Sequence, residues 1–234
     1  MSTPSQNWGE GFFISRSKIE KNLNQIKNDI AHCNVKIIAV TKYFGLEGIV
    51  EGYRAGLRDF GESRAKDAIE KIKSLPKDMR ENSTFHFIGH LQSNKAEKVV
   101  EYFDVIHSID SFKIAEVVSK AACSLNKREK VLLQVNNAGE EQKFGYSMQQ
   151  LEEEMKLLLD LKGIEIVGLM NIAPLNASEE VLNELFGEIR DFRNFLENKY
   201  SIKLPELSMG MSNDYKIAVN NGATVIRIGR KLFN

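Results

Sequence analysis

Two apolar patterns take turns along this chain. In one, hydrophobic residues recur three and four positions apart; in the other they stand in short unbroken runs. The first kind opens with Ile19, Leu23, Ile26 and Ile30, a spacing that predicts a helix over residues 15–32. "VKIIAVTK" follows, rich in β-branched residues, as a strand covered on both faces would be. Residues 47–55 read as a helix, and the alternation then continues. "RDFGE", "TFHFIGH", "VIHSID", "KVLLQVN", "EIVGLMNIA", "PELSMG" and "TVIRIG" are strand candidates. Between them, "RAKDAIEKIKSL", "KAEKVVEYF", "FKIAEVVSKAACSL", "MQQLEEEMKLLLDL" and "NDYKIAVNNG" carry helical spacing. So does the long "SEEVLNELFGEIRDFRNFLENKY", whose Leu182, Leu185, Phe186, Ile189, Phe192, Phe195 and Leu196 form one broad face.

Eight strand candidates separated by seven helices demand parallel pairing and right-handed crossovers. In 234 residues that pattern predicts an α/β protein, a (β/α)8 barrel of the TIM type. An open doubly wound sheet is the competitor; it normally uses fewer strands, and no Gly-x-Gly-x-x-Gly follows the first strand here. Little sequence remains after the eighth strand, so a truncated last helix is expected, with the N-terminal helix covering the gap. No Pro/Ser-rich linker interrupts the alternation, and residues 1–234 read as one domain.

Composition narrows the classes. A hydrophobic fraction of 42% supplies a core, and equal counts of 32 for Lys+Arg and Asp+Glu argue against binding nucleic acid or an acidic membrane by bulk charge. No apolar run reaches the length of a membrane span. The opening "MSTPSQNWGEGFFISRSK" lacks the basic region and long apolar stretch of a secretory signal. Cys33 and Cys123 are too few for a disulfide framework or a zinc site, which fits a reducing, cytoplasmic setting.

In such a barrel the chemistry belongs at the carboxyl ends of the strands. Those ends carry Lys42, Glu62, His90, Asp110, Asn136 with Asn137, Asn171, Ser208 with Gly210, and Arg227 with Gly229. Barrels often bind phosphate between the loops after strands seven and eight, and "SMGMSND" suits that task. Gly210 lets backbone approach an anion, and Ser212 is a natural N-cap for the helix that follows. "RIG" adds a second glycine and a fixed cation. The plainer reading is a turn glycine and a capping serine. Lys42, in line with a buried strand, is either a solvated rim lysine or an enclosed amine able to attack a carbonyl. Beside a phosphate pocket, that amine suggests a Schiff base with a phosphorylated aldehyde: pyridoxal phosphate as a cofactor, or a sugar phosphate in an aldolase. His86 and His90 are four apart on a strand-like run rather than a helix, so no metal site is expected there.

"AVTKY", "FGES", "FHFIGHLQSNK", "GLMNIAP", "LSMGMSNDY" and "VIRIGRKLF" occur in that order over nearly the whole chain. Together they closely resemble the pyridoxal-phosphate homeostasis protein family, whose members resemble the N-terminal barrel of alanine racemase. The resemblance implies that Lys42 forms the internal imine with pyridoxal 5'-phosphate. It implies that Ser208, Gly210 and Ser212 receive the phosphate, that Gly229 helps hold it, and that Arg227 faces the pyridine nitrogen. His86, Asn136 and Met170 match positions lining the pocket. Three positions depart from the family pattern: Arg230 stands where a hydroxyl residue is usual after "RIG", Ser63 where Asn is often found, and Gly45 where Pro is common.

An arginine beside the pyridine nitrogen opposes its protonation and weakens the electron sink that pyridoxal phosphate chemistry needs. The chain is therefore read as a carrier that stores, buffers or delivers the cofactor, with pyridoxal-phosphate-dependent apo-enzymes as recipients and a monomer as the expected state. A weak amino-acid racemase is the alternative, and a Schiff-base phosphosugar aldolase a more distant one.

Overall fold

In the computed structural model, which describes residues 14–140 and 142–234, the strands pair in chain order and close into a barrel. They are β1 (Lys36–Val40), β2 (Asp59–Glu62), β3 (Thr84–Phe87), β4 (Val105–Ile109), β5 (Glu129–Val135), β6 (Ile164–Asn171), β7 (Glu206–Ser208) and β8 (Val225–Ile228). Every neighbouring pair is parallel, and β8 closes on β1 with Ile38 opposite Arg227. The helices around them are α1 (Arg16–Asp29), α2 (Leu46–Arg54), α3 (Ala65–Ser74), α4 (Lys77–Glu81), α5 (Ala96–Tyr102), α6 (Phe112–Ser124), α7 (Met148–Leu159), α8 (Glu179–Tyr200), α9 (Tyr215–Asn220) and α10 (Arg230–Phe233). The expectation that no leader precedes the fold rests on residues outside those described. No described helix is long and apolar enough to cross a membrane.

Strands covered on both faces have two cores. The outer one lies between sheet and helices and buries Phe60, Phe87, Phe103 and Phe186, each contributing about 2–3 kcal/mol of transfer free energy. The inner one is small: Val105, Leu132 and Met170 fill the barrel beside buried polar groups. The N-terminal helix covers the closing gap as expected. Asn22 on α1 donates to the carbonyls of Leu232 and Asn234 at 3.1 and 3.0 Å, docking α1 against α10.

Some expectations need correction. The stretch after "RAKDAIEKIKSL" holds a further short helix, α4, because Pro76 interrupts α3 and caps a new start. Phe195 does not join the buried face of α8; it is 42% exposed and stacks on Phe192. The seam between β7 and β8 is the thinnest, with one register pair, Ser208 and Val225. Loop bonds reinforce it: Met209 donates to the Val225 carbonyl, and Arg227 to the Gly210 carbonyl at 3.0 Å.

Candidate functional site

Lys42 sits two residues beyond β1, on backbone that is clamped from below. The Thr41 amide donates to the Gly61 carbonyl. Its hydroxyl donates to Glu62 at 2.7 Å, and its carbonyl accepts from Lys71 of α3 at 3.0 Å. Lys71 and Glu62 form a buried ion pair at 2.6 Å, so the strand-end carboxylate nearest in register is already committed. Lys42 is half-buried, with its ammonium 5.0 Å from the Tyr43 ring centroid and no hydrogen-bond or ion-pair partner among the described residues. Its amine is positioned but unspent. The Thr41–Glu62–Lys71 clamp was invisible in the sequence, because Lys71 looks like any other cation on a charged helix.

Across the barrel, the loops after β7 and β8 are tied together. The Lys231 amide in α10 donates to the Ser212 hydroxyl at 3.3 Å. Ser212 is therefore not the cap of the following helix: α9 begins at Tyr215 with Asp214 in the cap position. Asp214 instead accepts from the Met211 amide and folds the loop on itself. Gly210 has φ of +92°, and a Cβ there would stand 2.6 Å from that of Ala218. A left-handed turn packed on α9, rather than space for an anion, fixes glycine at this position. The amides of Ser212 and Asn213 have no protein acceptor among the described residues. Arg230 opens α10 with its side chain exposed.

Arg227 lies in the barrel, 3% exposed. Its guanidinium donates to the Ser208 carbonyl at 2.7 Å, the Ser208 hydroxyl at 2.8 Å and the Asn171 carbonyl at 2.8 Å. Burial holds its pKa down at about 10, and the charge of Asp214 works against that fall. It does not pair with Glu62, the partner a purely structural arginine would have been expected to choose. Ser208 is fully buried and its hydroxyl also contacts His107 Nδ1 at 2.9 Å, so it serves Arg227 and is not presented to a phosphate.

The remaining expected residues scatter. His86 is fully buried below the mouth, bonded to His107 and to Asp59 at the start of β2. Met170 packs inside the barrel. Asn136 lines a cavity of about 210 Å³ and donates to the carbonyls of Glu140 and Lys143, bracing the loop after β5. A larger cavity of about 580 Å³ lies between the loops after β3, β4 and β5. There His90 contacts Asp110 at 3.0 Å and stacks on Phe144 with ring centroids 3.6 Å apart. Asn171 Oδ1 and Glu62 Oε2, at the ends of β6 and β2, are buried acceptors without a partner among the described residues. No cluster of three metal-ligating side chains occurs among those residues. His107 went unremarked in the sequence, although a histidine inside the apolar run "VIHSI" signals a polar interior.

The family model for the alanine racemase N-terminal domain matches residues 14–234. The pyridoxal phosphate homeostasis protein of Synechocystis is 42% identical over 200 residues, covering 86% of this chain and 91% of its own length. That of Aquifex aeolicus is 37% identical over 198 residues, covering 85% and 86%. PipY of Synechococcus elongatus, solved with pyridoxal phosphate bound, superposes with a TM-score of 0.83 at 39% identity, over 92% of this chain and all of PipY. An alanine racemase of Clostridium difficile shares the fold, with a TM-score of 0.77 at 16% identity over 94% of this chain and 57% of the racemase. With a clamped strand-end lysine, two tied loops and a buried arginine in one barrel mouth, this chain belongs to the pyridoxal phosphate homeostasis protein family, built on the alanine racemase N-terminal-domain barrel.

Proposed function

We propose that this barrel binds pyridoxal 5'-phosphate through a Schiff base to Lys42 and holds it for storage, buffering or delivery inside the cell. The observation that carries the reading is the unspent amine of Lys42 on a clamped strand end, beside a carboxylate already neutralised by Lys71. The free amides of Ser212 and Asn213, on a loop tied to Lys231 next to the exposed Arg230, suit a phosphate dianion. Gly210 and Ser212 shape that loop, and Gly229 starts the turn that presents Arg230. When bound, the cofactor supplies an electron-accepting pyridine. Arg227, with three of its five N–H groups held by two carbonyls and a hydroxyl, offers that ring a cation and no carboxylate to stabilise its protonated form. That arrangement favours holding the cofactor over turning substrates over.

A purified chain incubated with pyridoxal 5'-phosphate should turn yellow and bleach on borohydride, with the reduced adduct on the Lys42 peptide by mass spectrometry. Pyridoxal lacking phosphate should bind far more weakly, since each charge-assisted phosphate bond is worth roughly 1.5–3 kcal/mol. Transfer to an apo-enzyme dependent on this cofactor tests delivery, and light scattering tests the expected monomer. An adduct on another lysine, or equal affinity for both aldehydes, overturns the reading. One observation favours a weak racemase instead: the half-exposed His90–Asp110 pair stands at the mouth as an acid/base. Deuterium exchange into alanine, abolished by His90→Gln, would establish it. Cleavage of a phosphosugar without added cofactor would point to an aldolase.

A further inference from the structure

A file of hydrogen bonds runs from the mouth to the floor of the barrel. Arg227 NH1 reaches the Ser208 hydroxyl at 2.8 Å, and that hydroxyl reaches His107 Nδ1 at 2.9 Å. His107 Nε2 reaches His86 Nδ1 at 2.9 Å, and His86 Nε2 reaches Asp59 at 3.0 Å. Five strands contribute: β8, β7, β4, β3 and β2. Ser208 and Arg227 stand near the carboxyl ends of their strands, whereas Asp59 opens β2 and its side chain is 25% exposed. Ser208, His107 and His86 are essentially inaccessible.

We propose that Asp59, His86 and His107 are positioning residues for Arg227, forming a one-way chain of donors that ends on a carboxylate at the far end of the barrel. The direction follows from the ends. A guanidinium can only donate, and an ionised aspartate can only accept. Ser208 accepts from Arg227 and passes its own proton to His107 Nδ1. A neutral His107 then carries its proton on Nε2 and donates to His86 Nδ1, and a neutral His86 donates from Nε2 to Asp59. Burial, with the Arg227 charge close by, holds the His107 pKa well below its usual value, consistent with a neutral ring. Two neutral rings leave one cation and one anion in the file. The neighbouring Lys36 is taken by Glu206 at 2.9 Å and does not compete for Asp59. Aligned dipoles strengthen one another, so Asp59 supports a guanidinium it never touches. That Arg227 in turn faces a bound ring rests on the pyridoxal phosphate reading.

Long-range ¹H–¹⁵N spectra of the imidazoles, recorded without cofactor, test the chain. The sequence has 4 histidines, so His32→Gln and His90→Gln variants complete the assignment. His86 and His107 are expected as Nε2–H tautomers in the wild type, with resolved, slowly rotating N–H signals from Arg227. In Asp59→Leu, His86 loses its acceptor; both rings should switch to Nδ1–H, and the Arg227 signals should merge. Asp59→Asn, which keeps an acceptor, should preserve both features. Affinity for pyridoxal 5'-phosphate should fall roughly threefold to tenfold in Asp59→Leu, with Lys42 still trapped by borohydride. A wild-type His107 bearing its proton on Nδ1, a doubly protonated His86, or tautomers and Arg227 signals unmoved by Asp59→Leu would each overturn the proposal. The wild-type spectrum decides even if Asp59→Leu does not fold. A wild type with these tautomers that takes up no cofactor would overturn the functional reading and leave the positioning chain standing.

Discussion

The barrel mouth has two unlike walls. On the wall formed by β7, β8 and β1, loops are short and tied: Ser212 to Lys231, Gly210 to Arg227, Thr41 to Glu62 and Lys71. On the wall formed by β3, β4 and β5, the connection from β5 to α7 spans residues 136–147, and cavities of about 580 and 210 Å³ open beside it. The exposed ring of Phe144, stacked on His90, partly covers them. A wall whose loops are tied to one another, with the Ser212 and Asn213 amides left free, can hold a small charged group in one pose. A wall built from a long loop and a ring stack, although Asn136 and Gln134 brace it, leaves cavities beside the mouth. The difference separates holding from access.

Perturbing each wall should break the contrast, and the largest effect is expected at Lys42. Lys42→Ala removes the amine while leaving the Thr41 clamp in place, so it should abolish the borohydride-trapped adduct with an unchanged melting temperature. Gly210→Ala comes next. It forces a side chain into φ of +92° and against Ala218, and should cost about 3 kcal/mol in urea unfolding. Arg227→Glu should cost a comparable amount, because it sets a carboxylate against three acceptors that now lack their donor. Burial of Arg227 thus argues against a charge-reversed variant that folds normally.

Glu129 opens β5, below the looser wall, and its response is expected to be smaller. Burial pushes its pKa up to about 7, against the pull of Lys127. Between the ordinary glutamate range and that value, the folded chain binds the proton that the unfolded chain has lost. Its contribution to stability therefore falls as pH rises through the window, by on the order of 2–3 kcal/mol. Glu129→Gln should match the wild type near pH 5 and exceed it by about 2 kcal/mol at pH 8, since Lys127 keeps the Val100 and Phe103 carbonyls. Phe144→Ala should change stability least, by about 0.5 kcal/mol, while speeding cofactor exchange in stopped-flow mixing with competing apo-enzyme. Equal exchange rates in Phe144→Ala and the wild type would remove the access role from the β5 loop.

The alternation of buried runs and amphipathic segments determined the barrel, because parallel strands joined by helices leave few other topologies. It also located Lys42, Gly210, Ser212 and Arg227 at strand ends, since strand boundaries are local. The helix after Pro76 was equally local but lay hidden in a charged stretch. Phe195 misled because helical spacing defines a stripe while tertiary packing sets its width.

What each residue does at its place was decided by closure of the barrel. Ser208 and His107 lie 101 positions apart in the chain, and Lys71 and Thr41 lie 30 apart. No periodicity records such meetings. Ser212 turned from a helix cap into a tie between two loops, and Arg227 from a cation facing a ring into one also held by two carbonyls and a hydroxyl, because partners from other strands reached them first. The sequence by itself determined which backbone ends face the mouth, through patterns read within a dozen residues. Tertiary structure alone decided which polar atoms were spent there and which, like the Lys42 amine, were left available, because hydrogen bonds across a closed barrel join residues that sequence distance keeps apart.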